Sequence, residues 1–517
     1  MNAPRRATGL LARKSVETMR DDRTRHGLKQ VLGPLNLVLL GVGGIVGSGV
    51  YVMTGQAAAR YAGPGVMLSF VIAGVACALI ALCYAELAST APATGAAYTY
   101  TYMALGEVFA WSVGWLILMD FGLAGASLAV GWAAYLVSLL HSFGIILPAV
   151  LTSPTFHAVG TGTAIVGGHS FNLVAMLVYG AVIAVLIAGI SESSTINAVL
   201  VVIKVTILLI FVAIGVQAVH PSNWTPLIPP NEGGFTYGLP GIARAASMLF
   251  FAYNGFEMVA NAASETRNPQ RDLPIGILGA VVVCTVIYLM VSAVMTGLVP
   301  FRELGASDAL AHAADRIGRP QLALLVKVGG LVGISSVLLI NAYGQSRTAF
   351  AVSRDGLLPP LFCRLHPKLR TPHLGILVLG LVSAVMAATL PLSLLTDMVS
   401  LGSALCFSVV AIAMMWLRAT RPELDRPFKV PFGGVRIGRF WIGVVPVGAI
   451  VLAWAMMVPV ILDLGMKARS GDPFPAAFIS SYIALGAVIY LTYGRRRSRV
   501  GPLATPGEVL DAPGHLP

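Results

Sequence analysis

Gly41-Val42-Gly43-Gly44-Ile45-Val46-Gly47-Ser48-Gly49-Val50-Tyr51 lies inside the first long apolar run of the chain and holds five glycines in nine residues. Each costs roughly 1 kcal/mol of helix propensity relative to alanine. One or two glycines in a membrane span are ordinary close-packing positions, and helix packing alone is the competing reading. The Gly47-Ser48-Gly49 triplet at mid-run goes further and predicts local unwinding. Unwound backbone at membrane depth is tolerated only where it is buried in protein or lines a wet cavity. Freed amides can hold a carboxylate there, and freed carbonyls an ammonium or a cation. The stretch therefore predicts a substrate-binding break in the first helix of a transporter.

The rest of the chain supplies the lipid-facing context. Of 517 residues, 56% are hydrophobic and 11% charged, and the mean hydropathy is +0.82. A soluble domain carries about 25% charged residues, so lipid is the natural solvent for most of this chain. The net charge of +12 resides in tails and short loops. No basic face interleaved with aromatics exists, which excludes a nucleic-acid partner. The five cysteines are not spaced as metal ligands, and no cofactor is expected.

A helix needs about 20 apolar residues to cross the hydrocarbon core. Twelve runs qualify, near 34–58, 66–90, 106–140, 171–190, 196–219, 240–262, 274–299, 322–350, 373–390, 394–417, 440–463 and 475–493. Cationic residues orient them, because cytoplasmic loops hold the excess of Lys and Arg. With the N-terminus inside, only Arg60, Arg302, Arg316, Arg319, Lys327, Lys467 and Arg469 fall outside or near outer ends. Lys204 and Arg244 lie within runs, and the other cations are cytoplasmic. The expected protein is an all-α polytopic membrane protein with twelve transmembrane helices, both termini cytoplasmic and a monomeric state.

A second interruption lies in span six, Phe250-Phe251-Ala252-Tyr253-Asn254-Gly255-Phe256-Glu257. Spans one and six are five apart, and paired interruptions at corresponding places point to an inverted-repeat transporter with a midplane site. The expected organisation is a basic N-tail (1–30), a first repeat (31–219, helices 1–5), a second repeat (240–417, helices 6–10), helices 11–12 (440–493) and a C-tail (494–517).

Intramembrane ionisable residues are functional candidates by default. Lys204 sits about eight residues into span five. An amine in a low-dielectric interior can exchange its proton near neutral pH, and structural pairing with a carboxylate is the alternative. Asp120 in span three and Glu257 in span six are the other deep acids. Each can pair with a cation, carry a proton or face a substrate ammonium. Asp397 reads as interfacial, Arg244 as an outer gate or an interfacial anchor, and Glu86, Glu107 and Glu192 as solvated helix-end residues.

The stretch Gly41 to Tyr51 resembles that of the amino acid–polyamine–organocation superfamily. So do Phe250 to Glu257 with Glu265-Thr266-Arg267-Asn268-Pro269, Tyr343-Gly344-Gln345-Ser346-Arg347 through Pro359, and Arg426-Pro427-Phe428-Lys429-Val430-Pro431. Bacterial relatives of the cationic amino acid transporters are most similar, over residues 27 to 495. The resemblance implies the five-plus-five inverted repeat of the sodium-coupled leucine transporter, with helices 1 and 6 broken. It implies that Ile45, Gly47, Ser48 and Gly49 bind the α-groups of an amino acid through backbone. Phe251, Ala252 and Asn254 match span-six positions facing the substrate, with Phe251 as an aromatic lid. Lys204 falls where proton-coupled members carry a lysine in place of the second sodium ion. Asp120 matches a span-three acid, usually Glu, and Ser335 a span-eight neighbour of the lysine. Asn254 departs from the family, replacing an apolar residue. Ser264 stands where relatives often have an acid, and the twelve spans contrast with fourteen in animal cationic transporters. Cationic and small neutral amino acids are both left open as substrates.

The expected function is therefore secondary active amino acid transport, proton-coupled import by alternating access. An amino acid or amine exchanger is the alternative. A membrane enzyme lacks support, because no His-Glu-x-x-His pattern or nucleophile–base pair is present. A nutrient sensor would carry a sizeable soluble domain, and the tails are short.

Overall fold

Apolar runs of membrane length can satisfy their peptide groups in lipid only by forming helices or closed barrels, and here they form helices. The computed structural model of the chain describes residues 31–92, 95–159, 164–189, 194–306, 308–438, 440–469 and 474–498. The N-tail, Glu192 and Arg499 lie outside the described residues. Helical segments fall within every predicted run. Among the described residues, eight helices are long and apolar enough to cross a membrane, and shorter apolar helices run over Pro34–Ile45, Leu173–Ile187 and His373–Thr389. The chain is a polytopic, largely helical membrane protein.

Two small departures from an all-helical chain lie in the connections. Phe156–Val159 pairs antiparallel with Ala164–Gly167, and Gly434–Ile437 pairs with Phe440–Gly443. Strand edges left open by so small a sheet can be hydrated only outside the hydrocarbon, and both hairpins sit between apolar helices.

Two sets of helix contacts dominate the bundle. Pro34–Ile45 and Val66–Thr90 both pack against Pro269–Leu298. Glu107–Ser142 lies between Pro320–Arg354 and Leu392–Thr420. Outward-facing Leu177, Val282, Leu381, Val451 and Leu485 stay exposed, a belt that lipid rather than water would cover.

Several charged residues are not where their sequence position alone suggested. Asp397 is buried rather than interfacial and accepts a 2.6 Å hydrogen bond from the buried Arg244 guanidinium. Asp463 lies 3.8 Å from Arg244, and the Tyr61 ring stacks on the guanidinium at 4.8 Å. Glu86 is likewise buried. It accepts from Arg418 Nε at 2.6 Å, from a second Arg418 nitrogen and from Val430 N–H at 2.8 Å, with Arg426 Nε 3.7 Å away. Glu107 accepts from the hydroxyls of Tyr102, Tyr490 and Ser498. Each carboxylate escapes the desolvation penalty because a partner from a different segment of the chain meets it.

Candidate functional site

The first span does not run through as one α-helix. Pro34–Ile45 ends with Val46 in an extended conformation (φ −74°, ψ 94°), and a wide helical turn begins at Gly49. In the sixth span, Gly238–Phe250 gives way to a tight turn at Phe251–Tyr253. Asn254 is extended (ψ 135°), Gly255 has φ +124°, and Glu257–Asn261 resumes the helix.

These two irregular stretches touch through their main chains. A β-carbon on Gly255 would stand 2.6 Å from the carbonyl carbon and oxygen of Gly44, and one on Gly49 would stand 2.5 Å from Ala252 Cβ. Real β-carbons do not approach that closely, so glycine at both positions lets the breaks cross. The positive φ at Gly255 adds a second reason, since only glycine adopts it without strain. Tyr288 completes the crossing: its hydroxyl lies 2.9 Å from both the Ile45 and Ala252 carbonyl oxygens.

Around the crossing is a cavity of about 30 Å³. Ile45, Gly47, Ser48, Gly49, Phe251, Ala252 and Asn254 all line it, as do Asp120 and Glu257. Span three adds Phe121, Ala124 and Leu128, and span eight adds Val337, Ile340 and Asn341. Asp120 is held by Ser403 Oγ at 2.7 Å and by Asn254 Nδ2 at 3.2 Å, and the amide also donates to Ser403 Oγ at 2.7 Å. Glu257 accepts the Gly255 N–H at 3.0 Å, in the first turn of the second half of span six. Unpaired peptide N–H groups and the positive end of the helix dipole favour an acid at that position.

Lys204 is fully buried and does not line the cavity. Its ammonium donates to the Gly43 carbonyl at 2.7 Å and the Val46 carbonyl at 2.9 Å, on the first-span break. The last carbonyls of a helix have no partner within it. A cation there also faces the negative end of the helix dipole. Ser336 Oγ lies 3.4 Å from the ammonium. Ser335, the neighbour expected from sequence, instead accepts from Trp132 Nε1 at 2.8 Å and donates to the Leu331 carbonyl. One residue along a helix turns a side chain by about 100°, which separates the two serines. Tyr288 and Asn341 escaped the sequence reading; a polar side chain among several within each apolar run was the available signal.

Two interrupted helices that cross at a small cavity, with a buried lysine behind one of them, are the arrangement of a membrane carrier for a small solute. The comparisons place it more closely. Residues 32–488 match the amino acid permease family model, and the chain belongs to that family, within the amino acid–polyamine–organocation superfamily and related to its cationic amino acid transporters. It is similar to a methylthioribose transporter of Bacillus subtilis (36% identical over 95% of this chain and 99% of the relative). It is also similar to the branched-chain amino acid permease BcaP of Bacillus subtilis (36%, over 92% and 95%). A third relative is the chloroplastic cationic amino acid transporter 9 of Arabidopsis thaliana (41%, over 78% and 69%).

Proposed function

We propose that the chain is a secondary active amino acid transporter of the plasma membrane that imports its substrate with protons by alternating access. On this reading it works as a monomer with twelve spans, both termini cytoplasmic, and two inverted repeats, 31–219 and 240–417, followed by two peripheral spans. The amino acid's carboxylate and ammonium sit against the main chain of the two breaks, between Ile45–Gly49 and Phe251–Asn254. Phe251 closes over it. Asp120 and Glu257 keep the wall polar.

The observation that carries the coupling is the contact of Lys204 with the Gly43 and Val46 carbonyls. A protonated amine offers three donors and a full charge to these carbonyls; a neutral amine offers fewer donors and no charge. Gain or loss of one proton therefore changes how firmly the first-span break is held, a few residues from the groups that meet the substrate. Charge-assisted hydrogen bonds are roughly twice as strong as neutral ones, enough to bias a two-state bundle.

Purified protein in liposomes tests this. Wild type should accumulate an amino acid when an inward proton gradient is imposed and no substrate is inside. Lys204→Ala should lose accumulation while still binding substrate in a thermal-shift assay. Full gradient-driven uptake by the variant would refute lysine coupling. Uptake only against internal substrate, and indifferent to pH, would refute symport in favour of exchange.

A further inference from the structure

Three buried polar atoms belonging to residues that line the central cavity have no hydrogen-bond partner among the described residues: Ser48 Oγ, Asn254 Oδ1 and Asn341 Oδ1. They come from spans one, six and eight, so no single helix explains them. Buried polar atoms left unpaired cost about 1–3 kcal/mol each, and three around one cavity point to a ligand that supplies the missing bonds.

Their chemistry restricts that ligand. The Asn254 amide is oriented by its neighbours: a carboxylate only accepts, so the nitrogen must face Asp120, and the carbonyl oxygen is left over. Ser403 holds the other Asp120 oxygen. Asp120 thus has a neutral donor on each oxygen and serves to aim Asn254. The Asp120 and Glu257 carboxylates in this wall already accept from Ser403, Asn254 and the Gly255 N–H; the lining groups left without a partner are two amide carbonyls, which only accept, and one hydroxyl.

A lysine or arginine side chain would find a donor already in place on each Asp120 oxygen. That long side chain would also crowd a cavity of about 30 Å³ more than a short one does. A second cavity of similar size lies beyond Asp120, Phe121 and Glu257, which wall both, and Ser403 lines that one rather than the first. The Asp120–Ser403 contact stands at the boundary between them.

We infer that the cavity selects a small amino acid with a neutral hydroxyl side chain, of serine or threonine size, whose O–H donates to the Asn254 carbonyl, with Asn254 as the specificity-determining residue. This rests on the amino acid transport reading above and names its substrate class.

Threonine and valine have nearly the same shape and differ in that hydroxyl, so they are the natural pair for the test. Competition against a radiolabelled amino acid in liposomes should show wild type preferring threonine over valine by at least about tenfold, with arginine and lysine weaker than either. Asn254→Leu should bring the threonine-to-valine ratio to within about twofold, and Asn254→Gln, which keeps the amide, should retain a preference for threonine. Valine equal to threonine in wild type, or arginine or lysine preferred, would overturn the inference and leave the transport reading intact. Failure of every amino acid to bind or enter would overturn both. The wild-type comparison decides the matter even if a variant does not fold.

Discussion

Replacing Gly255 by alanine tests whether the two breaks cross as closely as described. The new methyl would point at the Gly44 carbonyl group from 2.6 Å and at Ile45 N from 3.0 Å, all main-chain atoms that cannot rotate away. A residue forced into a glycine-only conformation costs about 1–3 kcal/mol, and overpacking of this kind adds about 1–3 kcal/mol. The sum is about 2–6 kcal/mol, set against native stabilities of about 5–15 kcal/mol. Gly180 is the matched control. It lies exposed inside Leu173–Ile187, and a β-carbon there meets nothing within 4 Å. Alanine at that site should be neutral or gain up to about 1 kcal/mol from helix propensity. In detergent, the thermal unfolding midpoint of Gly255→Ala should fall well below wild type and amino acid binding should be lost, whereas Gly180→Ala should match or exceed wild type in both. Wild-type stability and binding in Gly255→Ala would refute the close crossing.

Tyr288→Phe removes the hydroxyl shared by the Ile45 and Ala252 carbonyls and should weaken substrate binding by about tenfold, on a cost of about 1–3 kcal/mol; isothermal calorimetry would read it, with secondary structure unchanged by circular dichroism. Arg244→Leu leaves Asp397 buried without its guanidinium and should destabilise by about 3–5 kcal/mol. The double variant Arg244→Leu with Asp397→Leu should recover much of that loss in the same melting experiment. Glu86→Gln takes the charge from the carboxylate that gathers Arg418, Arg426 and Val430 N–H. It should lower the melting midpoint and speed proteolytic cleavage between residues 421 and 434.

The parts of the site governed by backbone were legible in the sequence, because glycine clusters declare themselves without reference to anything distant. Gly41 to Gly49 and Asn254-Gly255 mark both crossing stretches, and the residues expected around them line one cavity. Side-chain partners were harder. Depth along a helix can be counted, which singled out Lys204, but the direction of a side chain depends on rotation, and an error of one residue put Ser335 where Ser336 stands. Asp397 was read as interfacial, and Glu86 and Glu107 as solvated, because each lies near a helix end. Their partners, Arg244 for the first and Arg418 for the second, lie 153 and 332 residues away in the chain, and nothing local announces such a meeting. Resemblance to the family supplied the roles of the candidate residues, whereas the local pattern supplied their positions.

On the proposed coupling, the grip of Lys204 on the peptide carbonyls of Gly43 and Val46 would keep two tasks apart, driving transport and choosing the cargo. The amine meets the main chain of the break and the Ser336 hydroxyl, and Gly43, Val46 and Ser336 do not line the cavity. Exchanging the residues opposite, on spans three, six and eight, can retune the cargo without rewiring the drive. A lineage built this way can diversify its menu by point substitution, in keeping with relatives named for a thiosugar, branched-chain and cationic amino acids.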